Sequence, residues 1–190
     1  MTERDPGRLV TAEELLAFPE DASRHELQEG FVVEEPPPLP RHARTVARLA
    51  ALLGPIAKAS GAVVVTDFFL ILARGPDTVR APDLAVFTGE QWKALDPDRP
   101  YQGAPALVIE VLSPSNRPGD MHAKIADYLA AGVSLVWVVD PWAWSVRSYR
   151  TLLSPVLHRG EAQLEGGSVL PDLELRAQDL FDPDLPAPTR

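Results

Sequence analysis

The spacing of apolar positions changes period several times along the chain, and each change predicts an element. Thr11-Ala12-Glu13-Glu14 reads as a capping box ahead of Leu15, Leu16 and Phe18, so a short helix is expected there, with Pro19 as its stop. Residues 24 to 35 read as extended, with Glu29-Gly30 as the turn of an early hairpin and Phe31-Val32-Val33 as its firmer strand, ended by Pro36-Pro37-Pro38. From Arg41 to about Ala59, Val46, Leu49, Ala50, Leu53 and Ile56 keep helical spacing, and Gly54-Pro55 is expected to kink or shorten that helix. Ala62 to Asp67, Phe68 to Arg74 and Ala81 to Phe87 are short runs of strand type, with Gly75-Pro76-Asp77 as a turn between the second and third.

A polar stretch from Glu90 to Pro105 predicts a short helix around Trp92 and a surface loop. Ala106 to Leu112 then reads as a buried strand. Met121, Ile125, Tyr128 and Leu129 repeat at i, i+4, i+7 and i+8 on a helix that Gly132 ends, and Leu135 to Val139 is continuously apolar, as a strand covered on both faces would be. Strand, helix and strand across 106–139 make a βαβ unit whose strands should be parallel. Residues 144–149 and 152–157 read as antiparallel additions, and Pro171 to Phe181 as a final short strand and helical turn. The fold class that results is α/β, a mixed central sheet flanked by helices.

One residue violates the pattern. Glu110 interrupts Ala106-Leu107-Val108-Ile109-Glu110-Val111-Leu112, and an ionised carboxylate placed there without a partner costs several kcal/mol. Such a group is paired, protonated or bound to a cation. Asp83, after Pro82 at the head of an earlier strand, is one companion: adjacent strands lie only ~4.8 Å apart, so two acids on the same face can share a cation. Lys124, on the helix after the Glu110 strand, can supply positive charge to a developing phosphorane. Asp120, Lys124 and Tyr128 fall at i, i+4 and i+8 on one stripe of that helix; the plainer account makes Asp120 and Lys124 an exposed ion pair with Asp127 as a further partner.

Composition narrows the chemistry. The chain has no cysteine, which removes disulfides, thiolate metal sites and cysteine nucleophiles. Its four histidines are scattered, so a metal would be held by oxygen, favouring Mg²⁺ or Mn²⁺ over zinc. Among the 18 basic residues only Lys58, Lys93 and Lys124 are lysines, and a chain that otherwise prefers arginine places one of them beside the suspected site. The net charge of −9 argues against non-specific phosphate-driven binding, although Arg41, Arg44 and Arg48 at i, i+3 and i+7 form one basic helix stripe that could meet phosphates or simply be solvated. No stretch approaches the ~18 apolar residues of a membrane helix, and Met1 to Asp5 carries no secretory h-region. A soluble, cytoplasmic protein without a membrane partner is expected.

The order of these pieces resembles the PD-(D/E)XK nuclease superfamily, most closely its Uma2-like branch, over nearly the whole chain. The resemblance is carried by His25-Glu26-Leu27-Gln28-Glu29-Gly30, Pro40-Arg41-His42, Ala81-Pro82-Asp83, Leu107-Val108-Ile109-Glu110-Val111-Leu112-Ser113-Pro114-Ser115, Asp120 with Lys124 and Tyr128, and Ala131-Gly132-Val133 leading to Trp137-Val138-Val139-Asp140-Pro141. It implies a restriction-endonuclease-like core in which Asp83 and Glu110 bind metal, the backbone carbonyl of Val111 adds a ligand and Lys124 is the catalytic lysine. Glu26 matches an N-terminal acid that binds metal or positions water, and His42 matches a recurrent histidine of secondary weight. The superfamily lysine usually follows the second acid by two residues, where this chain has Leu112; in the Uma2-like branch it is displaced to the helix. Phe31 and Leu135-Val136 stand where relatives often carry an acid and Glu-Tyr.

The resemblance thus implies a single nuclease-like domain over 1–181: an N-terminal helix and hairpin (1–40), a catalytic core (41–140) and antiparallel additions (141–181), followed by a frayed tail, 182–190. The expected activity is Mg²⁺-dependent hydrolysis of phosphodiester bonds in nucleic acid, with DNA the substrate the resemblance implies. Cutting both strands often uses two sites, which makes a homodimer an expectation that no residue demonstrates. Two other readings fit the residues: a metal-dependent hydrolase of small phosphorylated or nucleotide substrates, and a nuclease-fold module that binds protein partners, in which a buried arginine would neutralise Glu110.

Overall fold

The computed structural model describes residues 8–18 and 24–185. The N-terminal capping box forms as expected: Thr11 accepts from the Glu14 amide, and the Glu14 carboxylate accepts from Thr11. Helix α1 (Ala12–Leu16) follows, burying Ala12 and Leu15 against Leu27, Ile71 and Val79. Pro19, its expected stop, lies outside the described residues. Strands β1 (Arg24–Gln28) and β2 (Phe31–Glu35) pair antiparallel around Glu29-Gly30. Both turn residues have positive φ (50° and 81°), the backbone of a two-residue type I′ hairpin turn, in which the second position favours glycine.

Helix α2 (Pro40–Ala59) continues past the Gly54-Pro55 pair to Ala59, so the expected shortening does not occur. Leu53 and Ala57, buried on either side of Pro55, hold that stretch against the core, where tertiary packing outweighs local propensity. Short strands β3 (Val63–Thr66), β4 (Leu70–Ala73), β5 (Thr78–Arg80) and β6 (Leu84–Phe87) come next, then α3 (Gly89–Ala94) and β7 (Tyr101–Gln102). The βαβ unit is present: β8 (Leu107–Val111) and β9 (Leu135–Asp140) are parallel neighbours joined by α4 (Pro118–Ala130). Strands β10 (Ser145–Tyr149) and β11 (Val156–Arg159) add antiparallel, and Ala177–Leu180 forms a 3-10 turn. The final strand expected within 171–181 reduces to a single isolated bridge, Arg176 with Gln163.

The strands divide into two sheets. The mixed central sheet runs β11-β10-β9-β8-β6-β3, and a second, five-stranded sheet runs β2-β1-β5-β4-β7. Ala81-Pro82-Asp83 carries the chain from β5 in one to β6 in the other, and Pro82, which has no amide hydrogen, cannot continue a ladder across that step. Period-two alternation sorts the central sheet into two faces. Leu84, Val86, Leu107, Ile109, Trp137 and Val139 pack beneath α2, whereas Ala85, Phe87, Val108, Val136 and Val138 pack against Met121, Ile125 and Tyr128 of α4. Glu110, two residues from Val108, therefore faces α4. Among the described residues no helix is long and apolar enough to cross a membrane.

Candidate active site

Strands β6 and β8 are antiparallel neighbours with Leu84 opposite Ile109, which brings Asp83 beside Glu110 one step further on. Asp83 lies just before β6, outside the paired register, and both carboxylates line the same cleft. The Val111 amide donates to Asp83 Oδ2 at 2.7 Å, and the same oxygen lies 3.2 Å from His42 Nε2. Glu110 is 4% exposed and accepts from the Tyr128 hydroxyl at 2.6 Å. Burial is the chief influence raising its pKa, to about 7; the charges of Asp83 and Glu26 add to it, and Lys124 and the Tyr128 bond work the other way.

Around this pair lies a cleft of about 420 Å³ between the hairpin, the first half of α2 and the end of β8. Glu26, on the cleft wall, is fully buried yet completely supplied with donors. Its Oε1 accepts from the Ala81 amide (3.0 Å) and Lys124 Nζ (2.9 Å), and its Oε2 from Arg80 (3.0 Å). Arg80 reaches onward to Asp127 (2.6 Å), while Lys124 also pairs with Glu35 at 2.8 Å. Lys124 is thus buried in the cleft wall rather than in a surface pair with Asp120, which stands exposed in the first turn of α4. Burial acts against its charge most strongly of any single influence, but Glu110, Glu26 and Glu35 together outweigh it and raise the ammonium above its ordinary pKa. Asp127, a supposed partner of Lys124, belongs to Arg80.

His42 lines the cleft beside Asp83, with Nδ1 buried and unpartnered. Burial disfavours its charge, yet the bond to Asp83 and the charges of Asp83 and Glu110 leave its pKa raised. The arginine stripe is not at the cleft. Arg44 bonds Asp182 at 2.5 Å, Arg48 the Asp179 carbonyl at 3.0 Å, and Arg41 the Pro141 carbonyl at 3.2 Å while stacking over Trp142. These side chains fasten the C-terminal segment to α2, because the strand β9 and the 3-10 turn bring acids and carbonyls to that flank. The expected tail accordingly begins with a buried residue, Asp182. The cleft side of α2 carries Ala43, Val46, Ala47 and Ala50 instead.

A family model described as "Putative restriction endonuclease", Uma2, matches residues 12–178. The chain belongs to the Uma2 family. No curated protein matches it. Among solved structures, a protein from Anabaena variabilis ATCC 29413 described as "a putative nuclease belonging to DUF820" is 23% identical over 90% of this chain and 97% of its own, with a TM-score of 0.78, and so shares the fold. In this Uma2 chain the structure brings together Glu26, Asp83, Glu110, Val111, Lys124 and His42, with Tyr128 behind Glu110, and leaves Asp120, Arg41, Arg44 and Arg48 apart. Three residues of the Uma2 site escape sequence reasoning, Arg24, Glu35 and Arg80, and Asp127 is read there with a different partner. Arg80 had left a signal, a lone charge in the run Thr78-Val79-Arg80-Ala81 leading into Pro82-Asp83; Arg24 and Glu35 had none beyond flanking the hairpin.

As a place for a hard cation, the donor set is oxygen-rich and short. Among the described residues no group of three or more histidine or acidic side chains is arranged around one point. Asp83 and Glu110 are the acids that would hold a hard cation here, with water completing its shell.

Proposed function

We propose that this Uma2 protein is a metal-dependent nuclease that hydrolyses phosphodiester bonds, with DNA as substrate. The observation that carries the reading is the pair of acids Asp83 and Glu110: they meet where β6 and β8 adjoin, and neither makes a hydrogen bond or ion pair with a lysine or arginine among the described residues. Asp83, Glu110 and the Val111 carbonyl would hold Mg²⁺ or Mn²⁺, an ion that polarises a phosphate and acidifies bound water. Lys124 has three N–H donors, and Glu26 and Glu35 use two. The third is left for the substrate, where a fixed ammonium offsets the charge that develops on the phosphorane. Glu26, with both oxygens engaged, serves as the anchor of Lys124. His42 holds Asp83 in place through Nε2.

The scaffold alternative called for a buried arginine on Glu110; the buried arginine, Arg80, is on Glu26 and Asp127 instead. The small-substrate alternative draws on the cleft's volume, which is within the range of ligand pockets. Cleavage of supercoiled and linear DNA, with RNA and nucleotides in parallel, in Mg²⁺, Mn²⁺ or chelator, decides between them. Wild type should cut DNA only with the metal, and Asp83→Ala, Glu110→Ala and Lys124→Ala should not. A wild type that cuts nothing, or variants that cut equally well, would sink the nuclease reading, and turnover of nucleotides alone would favour the small-substrate one. Calorimetry with Mg²⁺ should show binding by wild type that Glu110→Gln loses.

A further inference from the structure

A nucleic-acid strand presents phosphates beyond the one being cut, and the helix arginines do not line the cleft. Arg24 does. It opens β1 two residues before Glu26, so its side chain leaves the strand on the same face. Its guanidinium donates to the Ala81 carbonyl at 3.1 Å, two residues from Asp83, and its charge acts on His42, the residue bonded to Asp83. The fork therefore sits at the mouth of the cleft, on the side of the candidate metal-binding acids. There it also bonds the carboxylate of Asp67, which is 79% exposed at the turn between β3 and β4 and holds a left-handed backbone (φ 55°).

An ion pair this open to water contributes only ~0.2–1 kcal/mol. Asp67 engages a single guanidinium nitrogen, whereas a phosphodiester can accept two parallel charge-assisted bonds from the fork. A pair this weak leaves the guanidinium open to exchange, and Asp67, once released, faces solvent. We propose that Arg24 is a phosphate clamp for the substrate strand next to the scissile position, and that Asp67 is its latch, occupying the guanidinium until a phosphodiester displaces it. The proposal rests on the nuclease reading of the same cleft. It gives the two residues opposite effects on binding: Arg24 supports it and Asp67 competes with it.

The test is fluorescence anisotropy of a fluorescein-labelled DNA duplex titrated with wild type, Arg24→Ala, Arg24→Lys and Asp67→Asn over a salt series, with Ca²⁺ present. Asparagine tolerates the left-handed backbone, so Asp67→Asn removes the charge and keeps the turn. Arg24→Ala should weaken binding about tenfold and reduce the slope of log K against log salt by about one. Arg24→Lys should fall between, and Asp67→Asn should bind severalfold more tightly than wild type. Wild-type-like binding by Arg24→Ala, or weaker binding by Asp67→Asn, overturns the clamp. If Arg24→Ala proves unfolded by circular dichroism, the sign of the Asp67→Asn effect alone decides. DNA binding and metal-dependent cutting that ignore both residues overturn only the clamp, whereas a wild type that neither binds nor cuts DNA overturns it together with the nuclease reading.

Discussion

Glu26 and Glu110 occupy nearly the same situation and have opposite surroundings. Each is the central or penultimate residue of a strand, and they are 0% and 4% exposed. Glu26, in the five-stranded sheet, is met by a guanidinium, an ammonium and an amide. Glu110, in the central sheet, is bonded by one phenol, feels Lys124 only through space and stands beside another acid. A buried carboxylate is therefore no mark of chemistry by itself. What sets Glu110 apart is that no lysine or arginine bonds it among the described residues, while burial and two neighbouring acids raise its pKa against the through-space pull of Lys124; a bound cation would relieve that arrangement.

Removing the compensation is the most severe way to test the contrast. Arg80→Met strips Glu26 and Asp127 of their shared partner and should destabilise the fold by about 3–5 kcal/mol, read from urea unfolding. Adding Glu26→Gln to it should recover part of that loss. Glu110→Gln should behave in reverse, reducing metal-dependent cleavage by about 10² or more while leaving the metal-free protein at least as stable as wild type by thermal melting. If Glu110→Gln unfolds as readily as Arg80→Met, the distinction between the two glutamates is wrong.

A third acid gives the smallest and most specific check. Asp77 accepts from the Ala12 amide (2.8 Å), the Gly75 amide (3.3 Å) and Arg74 (2.9 Å). Burial is the largest single influence and pushes its carboxyl up, but the two amides and the guanidinium together hold it below the usual carboxylate range. A depressed acid contributes stability that is present above its unfolded pKa, about 4, and is lost as pH falls through its folded value. Melting temperature should therefore drop more steeply with acidification below pH about 4 in wild type than in Asp77→Asn. Glu110 has the opposite sign: in the metal-free protein its raised pKa means that stability falls as pH rises from 4.5 to about 7.

Much of this was legible in the order of residues because it is local. The capping box at Thr11, the hairpin turn at Glu29-Gly30 and the βαβ unit around α4 depend on neighbours a few positions apart. The strain at Glu110 was equally plain, since a charge among six apolar residues needs no fold to be noticed. What could not be read was pairing over long separations. Arg80 and Glu26 are 54 residues apart, and Lys124 and Glu26 are 98 apart, so neither partnership leaves a periodic trace. The second sheet was missed because β5 and β7 have only three and two residues, too few to show alternation. The arginine stripe was regular on α2, but what it meets is fixed by where β9 and the 3-10 turn end.

That stripe has a kinetic consequence. Arg41, Arg44 and Arg48 are tied to carbonyls and to Asp182 on a flank away from the cleft, so they turn no basic face toward it, and the net charge of −9, which already counts them, governs the approach of a distant polyanion. The long-range field then opposes encounter with DNA, and moderate salt, by shortening the reach of that repulsion, should speed association even while it weakens the final contacts. A chain so charged would meet any polyanion slowly in dilute buffer and gain most from anything that brings the two together by other means.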